Sequence, residues 1–226
     1  VVYDAWKKER EEMNFNPKQR YSAVAVFSDD LERVVLIHKQ KPAWQAGKAN
    51  MPGGKVETTD AAAAMDLHVP FPMSQPWPQE TFYALHRVCA SRELREETGL
   101  DIAATALQLF CRLRFVSCEG DAAECCFYAA RGDVDAARTM ESERVFVEEI
   151  ENVLCGDSYH ETYRSAGDAV FKTSDIQTVE CPFLGEDMHV PTMPNLPYLV
   201  AMARQCLRGE GAGLWPLTVY ESGAAS

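Results

Sequence analysis

The sequence predicts an α/β fold in which a mixed sheet is packed between helices, in one domain spanning 1–226. Three observations predict it. The chain has 226 residues, the size of one large domain when domains run to roughly 100–200 residues. Hydrophobic residues are 46% and charged residues 25%, a balance that supports a buried core and excludes a disordered chain or a small disulfide scaffold. Short β-branched apolar runs and two helical patterns follow one another along the chain, with no internal repeat.

Taken in order, residues 1–20 are polar, with Trp6 and Phe15 as anchors. Tyr21 to Phe27 and Val34 to His38 read as two strands of a hairpin, joined by the polar turn from Ser28 to Arg33. Lys39 to Asn50 reads as a loop, and Met51-Pro52-Gly53-Gly54-Lys55-Val56-Glu57 as a glycine-hinged stretch ending in a short strand. Residues 58–79 are expected to be irregular, because Pro70, Pro72, Pro76 and Pro78 oppose helix and central strand alike. Glu80 to Thr98 reads as a helix with Phe82, Leu85, Val88, Cys89 and Leu94 on its apolar face, stopped by Gly99. Leu107 to Ser117 and Cys125 to Ala130 follow as long strands, then a short strand at Val145 to Val147 and a helical turn from Glu148 to Leu154. Residues 155–190 give no clear pattern, and Leu196 to Leu207 closes the series as a helix with Leu199, Val200, Ala203 and Leu207 on one side. The two helices are expected on opposite faces of the sheet.

Charge and cysteine usage narrow the function classes. The net charge of −12 repels a polyphosphate chain, so binding of polymeric nucleic acid is disfavoured. The longest stretch without a charged residue, Met188 to Ala203, carries Pro191, Pro194 and Pro197 and is too short and too broken to span a bilayer. No apolar run with a small-residue cleavage site opens the chain, and a reducing, cytoplasmic compartment is expected. Cys89, Cys111, Cys125, Cys126 and Cys206 have apolar neighbours and read as buried thiols. The spacing of Cys111, Cys118 and Cys125 lacks a C-x-x-C pair and reads as strand thiols rather than a zinc site. The five histidines form no ligand spacing and read as structural.

Chemistry concentrates in Arg92-Glu93-Leu94-Arg95-Glu96-Glu97-Thr98-Gly99-Leu100. On a helix Glu93 and Glu97 stand at i and i+4, with Glu96 at i+3 from Glu93, so three carboxylates reach one patch. They repel one another unless a cation sits among them, and a hard divalent ion with oxygen ligands is the natural occupant. This segment, with Met51-Pro52-Gly53-Gly54-Lys55-Val56-Glu57 upstream, resembles the Nudix hydrolase family, whose box reads G-x5-E-x7-R-E-U-x-E-E-x-G-U with U aliphatic. Every defined position of the second half is met. The first half is not, because 24 extra residues lie between Gly54 and Arg92. The first box Glu is therefore displaced: counting forward from Gly54 reaches Asp60, counting back from Arg92 reaches Ala84, and Glu57 and Glu80 are further substitutes.

The resemblance implies an α/β/α sandwich with a mixed central sheet and the hydrolysis of a phosphoanhydride bond in a small nucleoside diphosphate derivative, either an NTP or dNTP or an NDP linked to another moiety. It implies Mg²⁺ or Mn²⁺ held by Glu93, Glu96 and Glu97 with the Gly53 carbonyl, and Arg92 orienting the carboxylates. A further catalytic Glu is expected from Glu141 or Glu143, with Glu141 preferred. Asn50, Trp44, Lys55 and Gly54 are the substrate-side candidates; for Asn50 a turn-stabilising role, and for Trp44 a core-edge role, stand beside base recognition. Residues 58–83 form an insertion within the box and 155–190 a second region of uncertain role. The segment 61–79, with Phe71, Met73 and Trp77, is expected to be a substrate lid, a homodimer contact or a surface loop. The alternative function is a catalytically weak nucleotide sensor, which the retention of all three box glutamates weighs against. An RNA-decapping role lacks the basic tract it needs.

Overall fold

The structure, a computed structural model, describes residues 17–43, 45–66, 79–116, 120–141, 143–154, 178–180, 189–210 and 216–220. Its strands are β1 (Gln19–Phe27), β2 (Arg33–His38), β3 (Ala49–Asn50), β4 (Gly53–Lys55), β5 (Gln108–Val116), β6 (Ala122–Arg131), β7 (Arg144–Glu149), β8 (Thr178–Glu180), β9 (His189–Pro191) and β10 (Leu217–Tyr220). Its helices are α1 (Thr58–Asp66), α2 (Gln79–Thr98), α3 (Ile150–Leu154) and α4 (Leu196–Arg208).

The sheet runs β10-β5-β6-β1-β2-β3, with β4 on β1 and β7 on β2. It is mixed: β1 pairs parallel with β6 and β10 parallel with β5, while the other pairs are antiparallel. β8 and β9 make a separate two-stranded sheet. Because both faces of the sheet are covered, the central strands carry continuous apolar runs rather than a polar-apolar alternation. Along β1, Val24 and Val26 join the core beneath α2 with Val35, Ile37, Ala90, Leu94 and Tyr128. Ala25 and Phe27 point the other way, into the core beneath α4 with Leu36, Phe110, Phe127, Leu196, Leu199 and Val200. The α/β/α sandwich with a mixed sheet is thus the architecture, with α2 and α4 on opposite faces.

α2 begins one residue after Pro78 and ends at Thr98. Gly99 takes φ of 71°, a left-handed conformation that costs a residue without Cβ little, and its N–H closes on the Arg95 carbonyl at 3.0 Å. Leu85, Cys89 and Leu94 are buried, and Phe82 and Val88 are half-buried. Cys89, Cys111, Cys125 and Cys126 are buried free thiols and Cys206 is half-buried.

Two sequence expectations are corrected and one strand is added. Residues 58–66 are helix α1, not irregular. The prolines that argued against helix begin only at Pro70, whereas Ala61–Ala64 is a run of the best helix former. The start is capped by a side chain, with the Glu57 N–H donating to Asp60 Oδ2 at 2.8 Å. Within the expected loop 39–50, Ala49 and Asn50 pair with β2. At the C-terminal side, Leu217–Tyr220 adds an edge strand beside β5 that the sequence reading had not assigned. Trp6, Phe15, Cys118, Phe71, Met73 and Trp77, and with them the lid, dimer-contact and surface-loop expectations, lie outside the described residues, as does nearly all of 155–190.

The N-terminal half of α2 covers a buried polar network. His86, fully buried, has Nδ1 2.9 Å from Ser22 Oγ and 3.1 Å from the Tyr21 carbonyl. Beside it Glu124 accepts from Arg112 Nη2 at 2.9 Å and Arg114 Nε at 2.8 Å, and Arg112 lies over the rings of Phe82 and Tyr83, 5.5 Å from each. Burial first, then the Arg20 charge, pulls the His86 imidazole down to about 3. The unfolded chain therefore binds a proton below pH 6.5 that the folded chain refuses, so the contribution of His86 is complete above about 6.5 and drains away on acidification. Between pH 6.5 and pH 5 it should cost about 2 kcal/mol of unfolding free energy. Denaturant unfolding of wild type and His86→Gln at both pH values checks this: the variant should lose that much less on acidification, and equal losses would refute the assignment.

Candidate active site

The site lies where the C-terminal half of α2 meets β4, the end of β2 and the segment leading into β7. Two glycines let β4 fit between β1 and the helix. A Cβ on Gly53 would lie 2.6 Å from Ala23 Cα, and one on Gly54 would lie 2.5 Å from the Glu93 carboxylate. This close approach lets the Gly53 N–H donate to Glu97 Oε2 at 2.7 Å.

Arg92 is the hub of one side. Its Nε and Nη2 donate to the two oxygens of Asp60 at 2.7 and 3.1 Å. Nη1 lies 2.9 Å from Glu93 Oε1 and 2.7 Å from Glu96 Oε2, and Nη2 also reaches the Lys55 carbonyl at 3.3 Å. Asp60 foremost, with Glu93 and Glu96, holds the guanidinium above its ordinary range. Asp60 is buried on α1. Of the alternatives for the displaced first box Glu, Asp60 is the one joined to Arg92 among the described side chains; Glu57 is exposed, Ala84 has no carboxylate, and the side chain of Glu80 is not described.

Lys39 is the hub of the other side, and the sequence reading missed it. Its buried ammonium lies 3.0 Å from Glu97 Oε1, 2.8 Å from Glu143 Oε2 and 3.3 Å from the Gly53 carbonyl. Burial pulls the ammonium down, but Glu97 and Glu143 outweigh it and leave it raised. Burial pushes the Glu97 carboxyl above the usual carboxylate range, against the pull of Lys39 and the Gly53 N–H. Glu93 is also raised, by burial first, with Arg92 opposing. Glu96 is exposed on the same helix.

The two candidates for the further Glu are placed differently. Glu141 is exposed, whereas Glu143 is buried and faces Glu97 across Lys39. The helix end sets this placement, because its last carbonyls need donors. The Arg138 N–H reaches the Thr98 carbonyl at 2.9 Å and the Met140 N–H the Glu97 carbonyl at 3.3 Å, which carries Glu143 inward. Among the substrate-side candidates, Gly54 lies against Glu93 and Lys55 is exposed. Asn50 Oδ1 accepts from the Met51 N–H at 2.9 Å. Trp44 lies outside the described residues.

Five carboxylates, Asp60, Glu93, Glu96, Glu97 and Glu143, converge here on two cations, Arg92 and Lys39. The hard oxygen donors, the excess negative charge and the carbonyl of Gly53 fit a divalent cation such as Mg²⁺ or Mn²⁺. A second convergence of donor atoms, His86, Glu124 and Cys126, does not fit one. Glu124 is already neutralised by two guanidiniums, Arg20 stands opposite it on the neighbouring strand, and burial pushes the Cys126 thiol well up.

The α/β/α sandwich, with an acidic helix against a glycine-bearing strand, is shared by solved structures. The chain is similar to a MutT/nudix family protein from Enterococcus faecalis, at 11% identity and a TM-score of 0.50 over 94% of this chain and 72% of that one. It is also similar to the NUDIX domain of Shewanella oneidensis NrtR solved with ADP ribose, at 15% identity and a TM-score of 0.48 over 88% and 98%. A MutT NUDIX hydrolase from Burkholderia pseudomallei matches at 19% identity and a TM-score of 0.39 over 59% and 84%. No family model matches the chain and no curated protein matches it. The chain has the Nudix hydrolase fold. No helix among the described residues is long and apolar enough to cross a membrane.

Asp60→Ala should lower stability by about 3 kcal/mol, the scale of breaking a buried ion pair, while Glu57→Ala should stay within about 0.5 kcal/mol. Urea unfolding of the two variants checks the assignment, and a larger loss from Glu57 would overturn it.

Proposed function

We propose that the protein is a Mg²⁺- or Mn²⁺-dependent pyrophosphohydrolase acting on a small nucleoside diphosphate derivative in the cytoplasm. The observation that carries this reading is the imbalance of five carboxylates against two cations around a glycine turn, on a Nudix fold. A substrate diphosphate would meet repulsion from these carboxylates and from a chain of net charge −12. When bound, the divalent ion offsets both charges and lowers the pKa of an attacking water.

In this reading Glu93, Glu96, Glu97 and the Gly53 carbonyl hold the metal, with Glu143 in the place first given to Glu141. Arg92 positions Glu93 and Glu96 and is itself positioned by Asp60. Gly54 keeps the floor of the site open beside Glu93. Lys55, Asn50 and Trp44 are the side chains proposed to meet phosphate or base. A polymeric nucleic acid is not the proposed substrate, because no basic tract offsets the negative charge.

The test is a panel of nucleoside triphosphates, dinucleotides, ADP-ribose and nucleotide sugars incubated with Mg²⁺ or Mn²⁺, with products separated by ion-exchange chromatography. Hydrolysis of at least one member should stop in a chelator and return with metal. Glu97→Gln should lower the rate about 10²-fold or more, the scale of losing a key charge-stabilising group. Undiminished turnover in the chelator would refute the metal mechanism, and tight nucleotide binding without hydrolysis by the wild-type chain would favour the sensor.

A further inference from the structure

Lys39 occupies a position made for a cation. Three oxygens surround its ammonium, contributed by β4 (Gly53 O at 3.3 Å), α2 (Glu97 Oε1 at 3.0 Å) and the segment before β7 (Glu143 Oε2 at 2.8 Å). Carbonyl and carboxylate oxygens in this arrangement are equally the donor set of a hard divalent ion. An ammonium and a divalent ion cannot share that point, since both like charge and volume forbid it.

The carboxylates do not depend on Lys39 for their placement. The other oxygen of each is held by the backbone: Glu97 Oε2 accepts from the Gly53 N–H at 2.7 Å, and Glu143 Oε1 from the Gln40 N–H at 3.2 Å. Each carboxylate therefore turns one oxygen to a fixed amide and the other to the ammonium. Only the ammonium stands on a flexible four-carbon stem that can withdraw.

We propose that Lys39 is a tethered counter-cation: it closes the Gly53–Glu97–Glu143 oxygen triad while no metal is bound, and a divalent ion entering the triad displaces it. This rests on the metal-dependent reading above. Lys39 then has two opposed effects. It neutralises a buried pair of like charges in the metal-free protein, and it weakens metal binding by competing for the same oxygens. Lys39 is a positioning and tuning residue here, not a ligand.

The experiment is Mn²⁺ binding to the full chain, read as the loss of the free-ion electron paramagnetic resonance signal, together with thermal unfolding in a chelator. Lys39→Met keeps most of the side-chain volume without the charge. It should bind Mn²⁺ about tenfold or more tightly than wild type, as expected when a nearby like charge is removed. Its melting temperature in the chelator should fall below wild type, and Mn²⁺ should raise it by a larger increment. Lys39→Arg, which keeps a charge, should bind Mn²⁺ closer to wild type. A second measurement needs no folded charge-deletion variant: in wild type carrying ¹³C-labelled lysine, Mg²⁺ should shift the side-chain resonance that Lys39→Arg removes. Equal or weaker Mn²⁺ binding by Lys39→Met, or a Lys39 resonance indifferent to Mg²⁺ that does bind, would overturn the proposal and leave the metal reading standing. Absence of Mn²⁺ binding by wild type and variant alike would overturn both.

Discussion

An excess of negative charge, gathered at one end of a buried helix, is the constraint on which this molecule depends. Carboxylates taken out of water are costly unless each finds a cation or a donor. The fold meets that need with two hubs, Arg92 for Asp60, Glu93 and Glu96, and Lys39 for Glu97 and Glu143. Main-chain amides of Gly53 and Gln40 complete the coordination of the inner pair. The glycine-bearing strand β4 brings the Gly53 N–H and carbonyl against the helix, and a side chain at Gly54 would run into Glu93. The charge left over after this pairing is the basis on which a divalent ion is proposed here.

The same helix has a second electrostatic character one to two turns earlier. Beneath its N-terminal half, guanidiniums of Arg112 and Arg114 enclose a single Glu124 beside a neutral His86. Burial keeps the imidazole uncharged. The two halves thus differ in charge along one element: one covers a buried carboxylate enclosed by guanidiniums, and the other gathers more carboxylates than cations.

Local geometry explains what could be read from the sequence. The spacing of Glu93, Glu96 and Glu97 is set by the helix itself, so the sequence alone places them on one patch. The central strands were legible because Val24–Phe27 and Val34–Ile37 are buried on both faces and read as continuous apolar runs. What depends on tertiary placement was harder. Asp60 was one of several candidates, because counting from either end of an insertion gives different answers; its bidentate pairing with Arg92 decides among them. Helix α1 was hidden by prolines that lie beyond its end. Lys39 carries no local mark, being a lysine at the end of a strand, and the charge balance around the box is the signal that could have asked for it. The burial of Glu143 beside Lys39, with Glu141 exposed, depends on how the segment after the helix packs back on α2, which no spacing encodes.

The central claim is that the carboxylates at the C-terminal end of α2, and not the buried His86 group, are the cation site. Crystals soaked in Mn²⁺ and measured at the manganese absorption edge test this most directly. The account expects an anomalous peak between the Gly53 carbonyl and the carboxylates of Glu93 and Glu97. A peak beside His86, Glu124 and Cys126, or none near α2 at saturating Mn²⁺, would contradict it.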